Sequence, residues 1–196
     1  MHGHPTPTPT LLKAALAHVQ FETIHPFLDG NGRVGRLLVT LLLCTEGLLS
    51  QPMLYLSLYL KQHRAEYYDL LMRVRTHGAW EDWITFFMRG VIETASGAVA
   101  TARRLTEQAA SDRQHIQSIG RTAGNALRVH QALLQRPVAT AQSVGERSGL
   151  SEPTVNRMLA TLERAGFVRE LTGKQRGRLF SYEPYLRIMS EGTEPL

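Results

Sequence analysis

Residues 25–36 read HPFLDGNGRVGR. Two glycines flank an asparagine, an acid stands before them, two arginines follow and a histidine leads. Gly30 and Gly32 permit backbone conformations closed to other residues, and Asn31 tolerates the left-handed region. Successive N–H groups can then line one concavity, a nest for anions. A helix is expected from about Arg33, so its free N–H groups and positive dipole end point at the same place. Arg33 and Arg36 are three apart and share a face of the first turn. Two guanidinium forks suit a di- or triphosphate better than a single carboxylate. Asp29 is the misfit beside an anion pocket. A divalent ion bridging Asp29 and phosphate oxygens removes the conflict, and magnesium fits an oxygen-only site. His25 titrates near neutrality, which makes it the candidate general base. Pro26 and Phe27 would fix the loop, Phe27 by burying its ring. Read alone, Asp-Gly-Asn-Gly is a turn with solvated arginines, and no Gly-Lys-Ser/Thr follows, as a Walker loop needs. The joint set of base, metal acid, nest and two same-face arginines argues against a plain turn.

The chain has 196 residues, 43% hydrophobic and 20% charged, the balance of a packed soluble protein. Its formal charge of +5 is uneven: residues 1–120 hold 11 Lys/Arg against 10 Asp/Glu, and residues 121–196 hold 11 against 7. A nucleic-acid contact is therefore sought in the second part. The one cysteine, Cys44, allows no internal disulfide and reads as a small core residue. MHGHPTPTPT has no apolar stretch of the kind a signal peptide carries. Residues 37–60 are apolar but broken by Glu46, Gly47 and Pro52, so they read as two buried helices rather than a span. No membrane partner and a cytoplasmic location are expected.

Residues 1–9 alternate Thr and Pro and are expected to be disordered, with His2 and His4 part of that tail. Thr8 or Thr10 can cap a first helix over residues 11–24, with Pro9 suited to its start. The helix after the loop is apolar almost all round and is expected to be buried, closed by Gly47 and Pro52. Residues 55–75 read as one helix and 79–116 as one long helix or two. From about Asn125 the pattern shortens: a helix ended by Pro137, a second near 140–150, then one capped by Ser151 with Pro153 in its first turn and Gly166 as stop. Phe167–Leu171 and Leu179–Tyr185 read as a two-stranded ribbon around Thr172–Arg178.

His25-Pro26-Phe27, Asp29-Gly30-Asn31-Gly32-Arg33 and Arg36 together resemble the signature of Fic domains, complete at every defining position. The resemblance runs from AALAHVQFETI to about residue 92. It implies a helical core over residues 10–120 and transfer of AMP from ATP to a Ser, Thr or Tyr hydroxyl of a target protein. On that resemblance His25 takes the hydroxyl proton, and Asp29 holds magnesium on the leaving diphosphate. Gly30, Asn31 and Gly32 bind the phosphates, Arg33 and Arg36 hold the β and γ groups, and Tyr67 and Tyr68 flank the base. Similar proteins carry a hairpin flap before the motif, yet none of the 24 residues preceding His25 reads as a hairpin. They also carry an inhibitory Ser/Thr-x-x-x-Glu-Gly/Asn helix, whereas Glu46-Gly47 and Glu191-Gly192 follow Leu42 and Arg187 by four. The chain thus resembles a Fic protein without its front.

Residues 121–196 resemble a winged helix, giving a mainly α fold with a two-stranded wing. The recognition helix would bear Ser151, Thr154, Asn156 and Arg157, and the wing Lys174, Arg176 and Arg178. A basic wing beside a polar helix face suits phosphate and groove contacts with duplex DNA. Such modules also serve protein contacts, so a homodimer stays open. The alternative to the enzyme is a winged-helix transcriptional regulator whose core senses nucleotide or acts as a scaffold. Removal of AMP, or transfer of another phosphate-linked group, would use the same His25 and Asp29.

Overall fold

A helix of small residues meets a glycine-bearing helix at the start of the chain. In the computed structural model, which describes residues 8–51 and 54–191, α1 runs Thr10–Ile24 and α2 runs Asn31–Thr45. α1 buries Ala14, Ala15, His18 and Val19; α2 buries Gly35, Val39 and Leu43. These i, i+4 spacings put each set on one helical face. Gly35 lets the helices close, because a Cβ there would stand 2.6 Å from Glu22 Oε1 and 3.2 Å from both His18 Cε1 and Phe21 Cδ1. α2 is not buried all round: Val34, Leu37 and Leu41, also one helical row, are exposed. Pro9 rather than a threonine occupies the N-cap of α1 and supplies no side-chain bond. The tail residues 1–7, with His2 and His4, and the helix-closing Pro52 lie outside the described residues.

The segment expected as one helix over 55–75 is two, α3 (Leu56–Gln62) and α4 (Arg64–His77). His63 breaks it. Its Nδ1 approaches the Tyr59 carbonyl at 3.1 Å while its N–H donates to the same oxygen, and its ring packs 4.3 Å from that of Tyr59. α5 is a single helix, Trp80–Gln117. Its start closes the core with Trp83, Phe86 and Phe87 against Tyr59, Tyr67 and Leu70. The Trp83 indole N–H donates to the Ala15 carbonyl at 3.0 Å, and His18 stacks on Trp83 at 5.9 Å.

Composition changes near residue 120, whereas the chain divides into two compact units, Met1–Val99 and Ala100–Leu196, inside α5. The last turns of α5 pack with the second unit: Ile116 sits in its core and the buried Asp112 accepts from the Tyr182 hydroxyl. That unit continues with α6 (Ala123–Gln135), β1 (Val138–Thr140), α7 (Ala141–Ser148), α8 (Glu152–Arg164), β2 (Val168–Glu170), β3 (Leu179–Tyr182) and α9 (Glu183–Ser190). The strands order β1-β3-β2, all antiparallel, with Ala139 and Glu170 on either side of Phe180. The two wing strands were expected. β1 and α9 are additions, α9 because Glu183-Pro184 starts a helix where a longer strand was expected. The protein is mainly α with a winged helix-turn-helix at its C-terminal end. Among the described residues, no helix is long and apolar enough to cross a membrane.

Gly35→Ala is expected to destabilise the first unit by about 1–3 kcal/mol through overpacking. Gly97→Ala, where a Cβ meets nothing within 4 Å, should leave stability unchanged or raise it. Urea midpoints followed by Trp80 and Trp83 fluorescence distinguish the two.

Burial lowers the His18 imidazole from 6.5 to about 4; the Gly35 backbone opposes this and the Arg36 charge adds to it. The unfolded chain therefore takes up a proton that the native one refuses. The stability is fully present above pH 6.5 and is lost as pH falls towards 4, by about 3 kcal/mol at 1.4 kcal/mol per unit. Glu22, whose carboxyl burial pushes up, works in the opposite sense. Acid titration of the tryptophan-detected unfolding free energy should fall over that window, and the fall should flatten in His18→Gln.

Candidate active site

The loop between α1 and α2 is built on two backbone reversals and one side-chain staple. His25 ends α1 with φ 51° and ψ 56°, its N–H on the Phe21 carbonyl at 2.9 Å, the one non-glycine residue with positive φ among the described residues. Gly30 opens α2 with φ 82°. A left-handed residue other than glycine is costly and persists where its surroundings hold it. The staple is Asn31. Its Oδ1 accepts from the Phe27 N–H at 2.9 Å, and its Nδ2 donates to the Phe27 carbonyl at 2.6 Å.

This arrangement corrects three expectations. The helix begins at Asn31, not Arg33, and Asn31 is helical rather than left-handed. Asn31 is 2% exposed and its side chain is turned back to Phe27, so the amide group shapes the loop. The Phe27 ring is 50% exposed, 6.2 Å from the Phe21 ring; its backbone, not its burial, fixes the loop.

The loop's donors and charges converge on the start of α2. Gly30 N–H donates to Asp29 Oδ1 at 2.7 Å, and Arg33 and Val34 N–H donate to the Gly30 carbonyl. The N–H groups of Asn31 and Gly32, at the first two helical positions, have no intrahelical acceptor. Both guanidinium groups fold back over this turn. A Cβ at Gly30 would lie 3.5 Å from Arg33 Nη2, and one at Gly32 would lie 3.2 Å from Arg36 Nη1. Asp29 Oδ2 is 3.8 Å from Arg33 Nη2, with the carboxylate 96% exposed. His25 is also exposed. Among the described residues, no group of three or more His, Cys, Asp and Glu could hold a metal ion by itself.

The two tyrosines separate. Tyr67 is 4% exposed and its hydroxyl shares a 2.9 Å hydrogen bond with His18 Nε2. Tyr68 is exposed, with the Arg64 guanidinium 5.6 Å from its ring centre. Behind the loop lies a polar cluster that sequence reasoning did not single out: His18, Glu22 and Tyr67. Glu22 Oε1 stands 4.0 Å from His18 Nε2. Its signal is two polar residues at i and i+4 on the buried face of α1, Glu22 three before His25.

In the second unit, Asn156 lines a cavity of about 690 Å³ with Lys174, Arg176 and Arg178. Thr154 and Arg157 do not line it; the Thr154 hydroxyl pairs with Ser151 Oγ at 3.0 Å. Arg178 lies over the Phe180 ring at 5.0 Å. Glu170 fixes the base of the wing by accepting from the Thr172 hydroxyl and the Thr172 and Gly173 N–H groups, which hold its carboxyl below the usual range.

Comparison with known proteins bears on both parts. The Fic/DOC family model matches residues 2–43, and the model described as sugar-specific transcriptional regulator TrmB matches residues 125–186. Protein adenylyltransferase Fic of Aedes aegypti is 42% identical over 73 residues, 37% of this chain and 13% of that protein. Its namesake in Drosophila grimshawi is 47% identical over 58 residues, 30% of this chain and 11% of that protein. The matched stretch thus spans about an eighth of these curated relatives' own length. A solved Fic family protein from Desulfovibrio desulfuricans G20 is 22% identical, covering 90% of this chain and 50% of that one at a TM-score of 0.47. The complete HPFxDGNGRxxR motif at residues 25–36 lies inside the stretch that the Fic/DOC family model matches, and in that stretch the chain is similar to Fic proteins.

Proposed function

We propose that the first unit binds ATP with magnesium at the start of α2 and transfers AMP to a Ser, Thr or Tyr hydroxyl of a target protein. The observation that carries this reading is the folding back of Arg33 and Arg36 over a turn with free amide donors, beside exposed His25 and Asp29. The Asn31 and Gly32 amides and the two guanidinium groups would meet the phosphates, with Gly30 letting the backbone approach. Tyr68, with its open ring, is the better placed of the tyrosine pair to meet a base; Tyr67 would support it from behind. The target hydroxyl oxygen attacks the α-phosphorus, its proton passes to His25, and diphosphate leaves. Such a reaction needs in-line placement and charge neutralisation more than covalent help.

The donor set fits magnesium. Asp29 offers one carboxylate with lone pairs left after the Gly30 bond, and this ion commonly takes one or two carboxylates plus phosphate oxygens and water. When bound, magnesium would neutralise charge on the diphosphate. The match to relatives named protein adenylyltransferases supports the same reading.

With α-labelled ATP, magnesium and cell lysate, label should enter protein and be lost in His25→Ala. Arg36→Ala should weaken ATP binding by about 1–3 kcal/mol, read by calorimetry, through loss of a charge-assisted contact. Unlabelled lysate with intact ATP binding would point instead to a nucleotide-sensing core.

A second reading is favoured by the wing: Asn156 and three cations share one cavity in a region matching the TrmB model. We propose that the second unit contacts duplex DNA there. Lys174→Ala and Arg176→Ala should each weaken binding across sequences and lower the slope of log affinity against log salt by about 1, measured by fluorescence anisotropy.

A further inference from the structure

Arg36 is held somewhere that simple electrostatics disfavours. Its side chain leaves the second turn of α2 yet folds back, Nη1 lying 3.2 Å from where a Gly32 Cβ would be. That is the positive end of the helix dipole, and Arg33 stands over the same turn. Without a counter-charge, a guanidinium group there would turn out to solvent. Asp29 is exposed and faces Arg33. The other acid at this end of α1 and α2 is Glu22. Its side chain is 10% exposed, and its Oε1 is buried and makes no hydrogen bond. That oxygen would lie 3.9 Å from a Gly32 Cβ and 2.6 Å from a Gly35 Cβ.

We propose that Glu22 is a positioning residue of this site: its carboxyl, seated in the space that Gly32 and Gly35 leave open, holds the Arg36 guanidinium over the start of α2, ready for a polyphosphate. The ligand half of this inference rests on the nucleotide reading above. Glycine at 32 and 35 has a second purpose on this view. A side chain at either position would displace Glu22 or Arg36 as well as crowd the helices. Burial pushes the Glu22 carboxyl up, while the charges of His25 and Arg36, and then the Tyr67 hydroxyl, pull it back. The acid therefore feels the Arg36 charge. His18 borders it on the other side, Nε2 at 4.0 Å, with the Tyr67 hydroxyl on that same nitrogen.

The test is Glu22→Gln in the full chain, at unchanged melting temperature, with two readouts. In the ligand-free protein, the {1H}–15N NOE of Arg36 Nε, assigned by its loss in Arg36→Lys, should fall to the value of the exposed Arg33. ATP affinity should drop about fivefold and AMP affinity less than about twofold, and the Glu22→Gln/Arg36→Ala double variant should lose no more than Arg36→Ala alone, as coupled neighbours require. An unchanged NOE, unchanged or tighter ATP binding, equal losses for ATP and AMP, or additive losses in the double variant would each overturn the proposal. A wild-type chain that binds no ATP would end the nucleotide reading, while the NOE would still judge Glu22. Should Glu22→Gln not fold, Glu22→Asp, which withdraws the carboxyl by one methylene, carries the same readouts.

Discussion

The buried side chain of Asn31 sets the shape of the loop between α1 and α2. One amide group takes both the N–H and the C=O of Phe27, so the chain leaving α1 and the chain entering α2 are tied at a fixed separation. Two hydrogen bonds at a net of about 1 kcal/mol each do not by themselves offset the ordering of a loop at about 1–2 kcal/mol per residue. The remainder comes from the helices on either side. Ala14, Ala15 and Val19 meet Gly35, Val39 and Leu43 across a contact that glycine and alanine allow to be close. The staple sets the loop's shape, and the packing supplies the free energy that keeps it.

The charges around this loop differ in how firmly they are committed. Asp29 and Arg33 are both exposed, and such a pair is worth little in water. Either can exchange its partner for a phosphate or a cation at small cost. Glu22 lies where the effective dielectric is lower, so its influence on nearby cations is stronger and less screened. An outer pair free to rearrange and an inner acid that is not give the loop one adaptable and one fixed guanidinium group.

The sequence made the loop's local ingredients legible because glycine, asparagine and paired arginines act locally. Its tertiary partners were not legible. That Asn31 would be helical and point back to Phe27 depends on where α2 starts, and a two-residue shift in that start reverses its role. Glu22 and His18 look like ordinary polar residues on an amphipathic helix until α2 covers them. The break at His63 lies in its backbone, which leaves the helical region at φ −103° and ψ 34°, and no periodicity encodes that. Val34, Leu37 and Leu41 are exposed on a helix whose sequence is apolar almost all round, because apolar spacing does not say how many sides of a helix are covered. β1 is three residues long and exists through pairing with β3 about forty positions later.

The wing shows a similar division, a fixed base with freer charge at its tip. Tyr182 at the end of β3 is buried, its hydroxyl shared between Asp112 of α5 and His130 Nε2 of α6 at 3.0 Å. Burial raises the Tyr182 hydroxyl well above its ordinary range, and Asp112 adds to that, so it stays a neutral donor. Glu170 caps the turn that leaves β2. Arg178 is partly spent on Phe180, whereas Lys174 and Arg176 are exposed. Charges that can shift follow a phosphate backbone irrespective of base sequence, while a polar group on a fixed helix can read one edge. If this unit meets duplex DNA, the division of labour follows from the fold: Lys174 and Arg176 supply affinity, and Asn156, anchored on α8 by the burial of Val155 and Leu159, is the side chain rigid enough to supply preference.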